Sequence, residues 1–192
     1  MRSEPKRKRS AGTLTRRDLL RAAVLALGGL LCPQALRASL CPKLPYEKAL
    51  SFYNLHTGER LRTVYWSEGL YNLDALAEIN QILRDFRTGD VRQIDTGLLD
   101  LLHSLHRLVG SRHILHVVSG YRSPETNALL RETDSGVAGK SLHMEGKAVD
   151  FRLPGCSLKD LHKAAMRLQG GGVGYYPALD FVHVDVGRVR YW

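Results

Sequence analysis

Two histidines and an aspartate in the last third of the sequence have the side chains and the spacing to bind a metal ion. His143 and Asp150 lie seven positions apart in the segment SLHMEGKAVDF, and His183 follows in FVHVDVG. Two neutral imidazoles and one carboxylate leave net positive charge on a bound zinc ion. They also leave an open position for a water molecule, whose pKa falls to about 7. This donor set suits hydrolytic chemistry.

The spacing by itself is a weak signal, because the chain contains eight histidines. In the alternative interpretation, His143 is a solvated loop residue and Asp150 forms a turn at the end of a strand. His183 is then a hydrogen-bonded histidine within a sheet. On spacing alone, this alternative is the better supported of the two.

The strands that carry Asp150 and His183 are predicted to present them on polar faces. Side chains alternate between the two faces of a strand, so Val149 and Phe151 share one face of KAVDF and Asp150 lies on the other. In FVHVDVG the valines share a face, which leaves His183 on the opposite one. If the two strands lie near each other, Asp150 and His183 converge on one cleft, and His143 reaches it from the preceding loop.

The remaining elements predict an α+β domain with a mostly antiparallel sheet, because strands and helices are grouped rather than strictly alternating. A hairpin turns at residues 56–59, around a central glycine, and two leucine-rich amphipathic helices follow. Ser157 is the expected cap of a later helix that stops at Gly170. The predicted order is hairpin (49–66), helix (73–86), helix (96–110), strand (113–120), helix (123–132), strand (146–153), helix (157–171) and two strands (171–176, 181–192).

Three ordered motifs strengthen the metal-site interpretation. SLHMEGKAVD fits Ser-x-His-x-x-Gly-x-Ala-x-Asp, SGYRSPETN precedes it, and GGVGYYPALDFVHVDVG follows it. Together they resemble the zinc D-alanyl-D-alanine peptidase family, the VanY-like carboxypeptidases, and within it the murein endopeptidase K type. The resemblance covers roughly residues 49–192 and is strongest over 118–187.

The resemblance implies a role for five residues. His143, Asp150 and His183 match the zinc ligands of the family, with one Zn²⁺ per chain. Asp180 matches the carboxylate that serves as general base, although many relatives have glutamate there. Arg122 matches the arginine that polarises the scissile carbonyl or holds a substrate carboxylate. The implied fold is the Hedgehog/D,D-peptidase type, an antiparallel sheet flanked by helices.

Several alternatives stay open at this level. Asp180 could be a turn residue and Arg122 a surface arginine. Ser141 and Asp185 either orient His143 and His183 or have ordinary loop and strand-surface roles. The leading function is a zinc murein endopeptidase that cleaves cross-links between peptidoglycan stem peptides. The alternatives are a D,D-carboxypeptidase or dipeptidase of the same fold, and a non-catalytic peptidoglycan-binding module.

The first 38 residues have the pattern of a twin-arginine export signal. Arg16 and Arg17 precede an apolar run, Ala22 to Leu31, which has about half of the roughly 20 residues needed to cross a bilayer. A stable membrane span is therefore not expected. Residues 39–192 are predicted to form a single zinc peptidase domain, exported by the twin-arginine translocase to the periplasm or cell envelope.

The basic charge of the chain is concentrated in this segment. Residues 1–38 hold nine Lys/Arg and two acidic residues, which leaves 19 basic and 17 acidic residues, a net charge of +2, for the remainder. A nucleic-acid partner is not expected, because a binding domain should keep a basic patch after processing. The remainder holds two cysteines, Cys41 and Cys156, and their number alone does not decide whether they pair.

Overall fold

The computed structural model describes residues 46–110, 113–133 and 138–192. The predicted export signal lies outside the described residues, and so does Cys41, which leaves its pairing with Cys156 open. The described residues belong to one compact unit, Pro45–Trp192. Within these ranges, none of the helices combines the length and apolar character needed to cross a bilayer.

The chain begins with the predicted hairpin, β1 (Glu47–Asn54) and β2 (Arg60–Ser67), which pair antiparallel. Asn54 closes the turn, because its side-chain oxygen accepts hydrogen bonds from the backbone N–H groups of His56 and Thr57, at 2.9 and 3.2 Å. The short strand β3 (Leu70–Tyr71) adds to β2 and was not predicted.

Four helices are described, and all four were predicted: α1 (Leu73–Ile82), α2 (Thr96–Leu108), α3 (Pro124–Thr133) and α4 (Leu158–Leu168). Side-chain caps explain where three of them start. Asn72, Asp95 and Ser157 each accept a hydrogen bond from a backbone N–H group in the first turn of α1, α2 and α4 respectively.

The later strands are β4 (Leu115–Ser119), β5 (Ala148–Arg152), β6 (Gly172–Tyr176), β7 (Phe181–Asp185) and β8 (Arg190–Tyr191). The eight strands of the described residues form one sheet, in the order β3-β2-β1-β4-β5-β7-β6-β8. Two pairings are parallel, β1 with β4 and β6 with β8, and the other five are antiparallel. The prediction of an α+β fold with a mostly antiparallel sheet is therefore confirmed.

The core lies on the valine face of β5 and β7. Val149, Phe151, Val182 and Val184 are almost fully buried and belong to one apolar cluster with leucines of α2 and α4. Because side chains alternate along a strand, this packing turns the neighbouring residues of both strands to the other face. The hydrophobic pattern thereby fixes which face carries the polar residues of the site.

Candidate active site

Adjacent strands place Asp150 and His183 directly beside each other. β5 and β7 pair antiparallel, with Asp150 opposite His183 in the register. Both residues are buried, although both are polar. The convergence expected from the alternation pattern is therefore present. A one-residue slip of either strand would turn its polar side chain into the core.

His143 comes from a 3₁₀ turn, Leu142–Glu145, that immediately precedes β5. Ser141 caps this turn, because its hydroxyl accepts a hydrogen bond from the His143 N–H at 3.3 Å. Gly146 ends the turn in the left-handed conformation, with φ of 69°, and a Cβ atom there would collide with the carbonyl oxygen of Gln93. A glycine is thus required to join His143 to the strand of Asp150.

One potential metal-binding atom from each of the three residues lies within 4.8 Å of the other two. Asp150 Oδ1 is 3.3 Å from His143 Nε2 and 2.8 Å from His183 Nδ1, and these two nitrogen atoms are 3.2 Å apart. Ligands about 2.0–2.1 Å from a tetrahedral ion lie roughly 3.3 Å from one another. The three separations are therefore close to those of a tetrahedral donor set.

Hydrogen bonds on the far side of each ring indicate which nitrogen atom is free to bind a metal. His143 Nδ1 is 2.7 Å from the carbonyl oxygen of Gly120, which can only accept, so this nitrogen carries the proton. His183 Nε2 is 3.1 Å from Asp185 Oδ2 and carries the proton for the same reason. Nε2 of His143 and Nδ1 of His183 both face Asp150, and these are the two nitrogen atoms placed to bind a metal ion. The donor set fits a metal cation.

Burial and charge keep His143 and Asp150 in the ionisation states that bind metal. Burial lowers the pKa of His143, and the attraction of Asp150 opposes this effect only in part. Burial alone would raise the pKa of Asp150, but His143, His183 and Arg122 outweigh it and hold that pKa well below its ordinary value. A neutral His143 and an ionised Asp150 are the forms that bind metal. Burial also lowers the pKa of His183, but its hydrogen bonds to Asp150 and Asp185 outweigh burial and raise that pKa, so a metal ion must displace a proton from His183.

Asp185 supports His183 from behind. Its carboxylate is fully buried and accepts hydrogen bonds from the backbone N–H groups of Gly172 (3.0 Å) and Gly187 (2.8 Å). Arg190 also contacts it, with Nη2 2.7 Å from Oδ2. Burial raises the pKa of Asp185, but the hydrogen bonds from His183, Gly187 and Gly172 outweigh burial and lower it. Of the two roles left open for Asp185, the contacts favour the one that orients His183.

Arg122 and the three residues line one open cavity, and the guanidinium group of Arg122 contacts Asp150. Its Nη2 donates to Asp150 Oδ2, and its Nε donates to the Ser119 hydroxyl at 2.9 Å. The arginine thus holds the carboxylate oxygen that points away from the two histidines. The resemblance implied a direct contact with substrate instead, and this role stays a prediction.

Asp180 lies next to the cavity but is paired with another residue. It follows a second 3₁₀ turn, Pro177–Leu179, in the left-handed conformation with φ of 54°. Its Oδ2 accepts a hydrogen bond from Arg152 Nη1 at 2.6 Å, and 63% of its side chain is exposed. Leu179 and Phe181, on either side of it, line the cavity. Its predicted role as general base also stays a prediction.

A cavity of about 400 Å³ opens onto the three residues. Its wall includes Lys140, Tyr176, Arg190 and Trp192. From the sequence, Tyr176 could either border the cleft or pack in the core, and the other three residues were not predicted. The carbonyl of Gly120, which orients His143, was also missed. The period-2 pattern of His183 and Asp185 was the available signal for Asp185, since both lie on one face of β7.

A buried His–Asp–His set that lines an open cavity, on a mixed α+β fold, fits a metal-dependent hydrolase. Comparison with known proteins names the family. The chain belongs to the peptidase M15_2 family, described as peptidoglycan L,D-endopeptidase MepK, whose model matches residues 44–192. It is therefore a member of a metallopeptidase family.

The chain is similar to curated members of this family over most of its length. It is 41% identical over 177 residues to the peptidoglycan L,D-endopeptidase MepK of Escherichia coli (strain K12), covering 92% of this chain and 96% of the relative. It is 36% identical over 178 residues to the probable peptidoglycan L,D-endopeptidase MepK of Haemophilus influenzae, covering 92% and 95%. No solved structure gives a significant match.

Proposed function

We propose that this chain is a zinc-dependent murein endopeptidase that hydrolyses peptide cross-links of peptidoglycan in the cell envelope. The observation that carries the proposal is the convergence of two imidazole nitrogen atoms and one carboxylate oxygen at separations of 2.8–3.3 Å. The names of the relatives in Escherichia coli and Haemophilus influenzae support the choice of substrate.

His143, Asp150 and His183 hold the zinc ion in this proposal. Two nitrogen ligands and one oxygen ligand, with an open fourth position, are a common donor set of catalytic zinc sites. The ion supplies Lewis acidity and a water molecule of lowered pKa. The protein supplies the orientation of the ligands, because Gly120 and Asp185 fix the ring of each histidine through its second nitrogen atom.

Asp180 is the proposed general base. It accepts the proton of the attacking water and returns it to the leaving amine, so the carboxylate is regenerated in each cycle. The ion pair with Arg152 is compatible with this role, because both side chains are substantially exposed. Exposed ion pairs contribute only about 0–1 kcal/mol, so the carboxylate can leave Arg152 at little cost when substrate binds.

Arg122 is proposed to have two roles. Its Nη2 fixes Asp150, and its guanidinium group, which lines the cavity, can also polarise the scissile carbonyl or hold a substrate carboxylate. Lys140 and Arg190 line the same cavity. A cavity rich in cations suits stem peptides, which carry free carboxylates. The L,D specificity named for the relatives favours a bond between two diaminopimelate residues, since a D-alanine carbonyl would make the bond D,D.

The wider cellular context completes the proposal. Residues 1–38 act as a twin-arginine signal read by the twin-arginine translocase, and residues 39–192 form the single mature zinc peptidase domain, which works in the periplasm or cell envelope. The fold is proposed to be the Hedgehog/D,D-peptidase type, since β5 and β7 of the largely antiparallel sheet carry two of the metal ligands. No nucleic-acid partner is expected.

Digestion of purified, cross-linked sacculi tests the function. The purified protein is incubated with sacculi, with and without a chelator, and the released muropeptides are identified by mass spectrometry. Loss of cross-linked dimers with a matching gain of monomers, abolished by the chelator and restored by Zn²⁺, is the expected result. Release of free D-alanine would identify a carboxypeptidase instead. No digestion by the metal-loaded protein would favour a binding module.

A further inference from the structure

The aromatic residue Trp192 forms one wall of the active-site cavity, and backbone hydrogen bonds fix its position. It follows β8, which pairs parallel to β6. The Trp192 N–H donates to the Val173 carbonyl at 3.2 Å, and the Trp192 carbonyl accepts from the Tyr175 N–H at 2.9 Å. The indole is therefore held by the sheet beside His183, with ring centroids 5.2 Å apart.

Neighbouring side chains fix the orientation of the indole. Trp192 Nε1 donates to the Tyr176 hydroxyl at 2.7 Å, and the guanidinium carbon of Arg190 lies 4.9 Å from the centroid of the indole. Tyr176 in turn stacks on Phe181, with centroids 4.6 Å apart. The three rings, Trp192, Tyr176 and Phe181, are called here the aromatic wall.

Gly174 provides the space for this arrangement. It lies on β6 directly opposite His183, and a Cβ atom there would collide with the rings of Trp192 and Tyr176. Any other residue would displace the wall. Trp192 as a whole nevertheless remains 48% exposed, and it lines the cavity. A ring that served only to cover His183 would gain stability from deeper burial, so its fixed, half-exposed face is available for a ligand.

We propose that Trp192, supported by Tyr176, is the surface that binds the aliphatic chain of the diamino acid next to the cleaved bond. This inference rests on the proposed function. The only polar atom of the indole is already hydrogen-bonded to Tyr176, so Trp192 offers a ligand an apolar face alone. The two adjoining rings form a surface longer than a single methyl group, which suits a chain of methylene groups better than alanine.

The first test compares the steady-state kinetics of W192A and W192F on a purified muropeptide dimer. Truncation to alanine removes the apolar contact, so KM is expected to rise about tenfold or more while kcat stays within about threefold. W192F keeps an aromatic face and should stay within about threefold of the parent KM. Bound zinc is measured in each variant, because Trp192 adjoins His183. A parent-like KM in W192A with full zinc content would overturn the proposal.

The second test uses fluorescence, since the chain has only two tryptophans. Trp66 lies on β2 and contacts Tyr46 and Lys48, away from the metal ligands. In W66F all indole emission comes from Trp192, and titration of chelator-treated W66F with the dimer should change that emission saturably. In W192F the remaining emission, from Trp66, should not respond.

The two tests separate failure of the inference from failure of the proposed function. If the parent protein cleaves the dimer but the emission of W66F does not respond to it, the function stands and the role of Trp192 is wrong. If the zinc-loaded parent protein does not cleave the dimer at all, the proposed function is wrong and this inference falls with it.

Discussion

Replacing Asp185 by asparagine should weaken metal binding although it leaves all three metal ligands in the sequence unchanged. Asp185 Oδ2 is 3.1 Å from His183 Nε2 and 2.7 Å from Arg190 Nη2, while Oδ1 accepts from two backbone N–H groups. Every hydrogen-bonding neighbour of the carboxylate is therefore a donor. An asparagine of the same shape must turn its NH₂ group toward some of these donors, and it loses the negative charge that favours a proton on His183 Nε2.

The expected loss of metal affinity is between tenfold and 100-fold. Removal of an outer hydrogen-bond partner of a histidine ligand usually costs this much, or about 1.4–2.8 kcal/mol. The upper end applies here, because Asp185 is fully buried and a water molecule cannot readily replace the lost acceptor. His183 should still lie beside Asp150 in the folded variant, so the loss of zinc affinity should be partial and not complete.

The assay is competition for Zn²⁺ between the protein and a chromophoric chelator, with urea unfolding of the metal-free protein measured in parallel. D100N is the matched control. Asp100 also accepts several side-chain hydrogen bonds, from Lys48, Tyr65 and Tyr71, but it lies on α2 and contacts none of the metal ligands. D100N should lower stability and leave the Kd for zinc within about twofold.

Two results would refute the reasoning about Asp185. A zinc Kd within twofold of the parent value in D185N would show that the carboxylate does not orient His183. Equal losses of affinity in D185N and D100N, in proportion to their losses of stability, would show that D185N acts through general destabilisation.

Three further predictions concern catalysis, local geometry and pH. D180A should keep about one zinc per chain and lose at least ~10² in kcat, the usual scale for a general base, and loss of zinc in D180A would make Asp180 a ligand instead. G146A should unfold in urea at a lower midpoint than G58A, because both glycines have positive φ but a Cβ atom would meet a backbone oxygen only at Gly146. G58A should lower the free energy of unfolding by roughly 1–2 kcal/mol and G146A should lower it by more. Equal losses of stability would contradict the steric argument. Burial acts to raise the pKa of Asp85, but hydrogen bonds from Thr126, Ser123 and Arg87 outweigh burial and lower that pKa. The contribution of ionised Asp85 to stability is therefore present above about pH 4 and is lost as the pH falls through the native pKa. D85N should therefore be about 1–3 kcal/mol less stable than the parent at pH 7, and the gap measured by urea unfolding should shrink below pH 4; a constant gap would contradict the ionised state of Asp85.

The faces of β5 and β7 could be predicted because alternation is a local property. Two valines on either side of His183 determine which way the imidazole points, whatever the neighbouring strand is. The pairing of β5 with β7 is not local, since Asp150 and His183 are 33 positions apart. Alternation within each strand therefore could not predict that the two strands are neighbours. The resemblance to a known family implied that both residues bind one zinc ion, and hence that the two strands lie close together. The register places the two residues opposite each other.

The hydrogen-bonding partners of Asp180 and Arg122 could not be predicted from the sequence. Motif matching identifies a residue type at a position, but the partner of a charged side chain depends on which strands lie next to it. Arg152 is two residues beyond Asp150 on the same face of β5, and the β5–β7 pairing brings it to Asp180. Because of the same pairing, Asp180 forms an ion pair with Arg152 before substrate binds.

The glycines of β6 were the available signal for Arg190 and Trp192, the two neighbours of the His183 site that were not predicted. In the segment GGVGYY, Val173 points into the core, so Gly172 and Gly174 lie on the face of the metal site. A Cβ atom on Gly172 would collide with Asp185 and Arg190, and one on Gly174 would collide with Trp192. Two absent side chains on β6 thus make room for Arg190 of β8, behind His183, and for Trp192, which follows β8 and lies beside His183. A strand of two residues has no periodicity to detect, but alternating glycines in a neighbouring strand indicate that other side chains approach closely there. By this reasoning the metal-binding geometry of His183 depends on β8 as much as on the motif that contains the histidine.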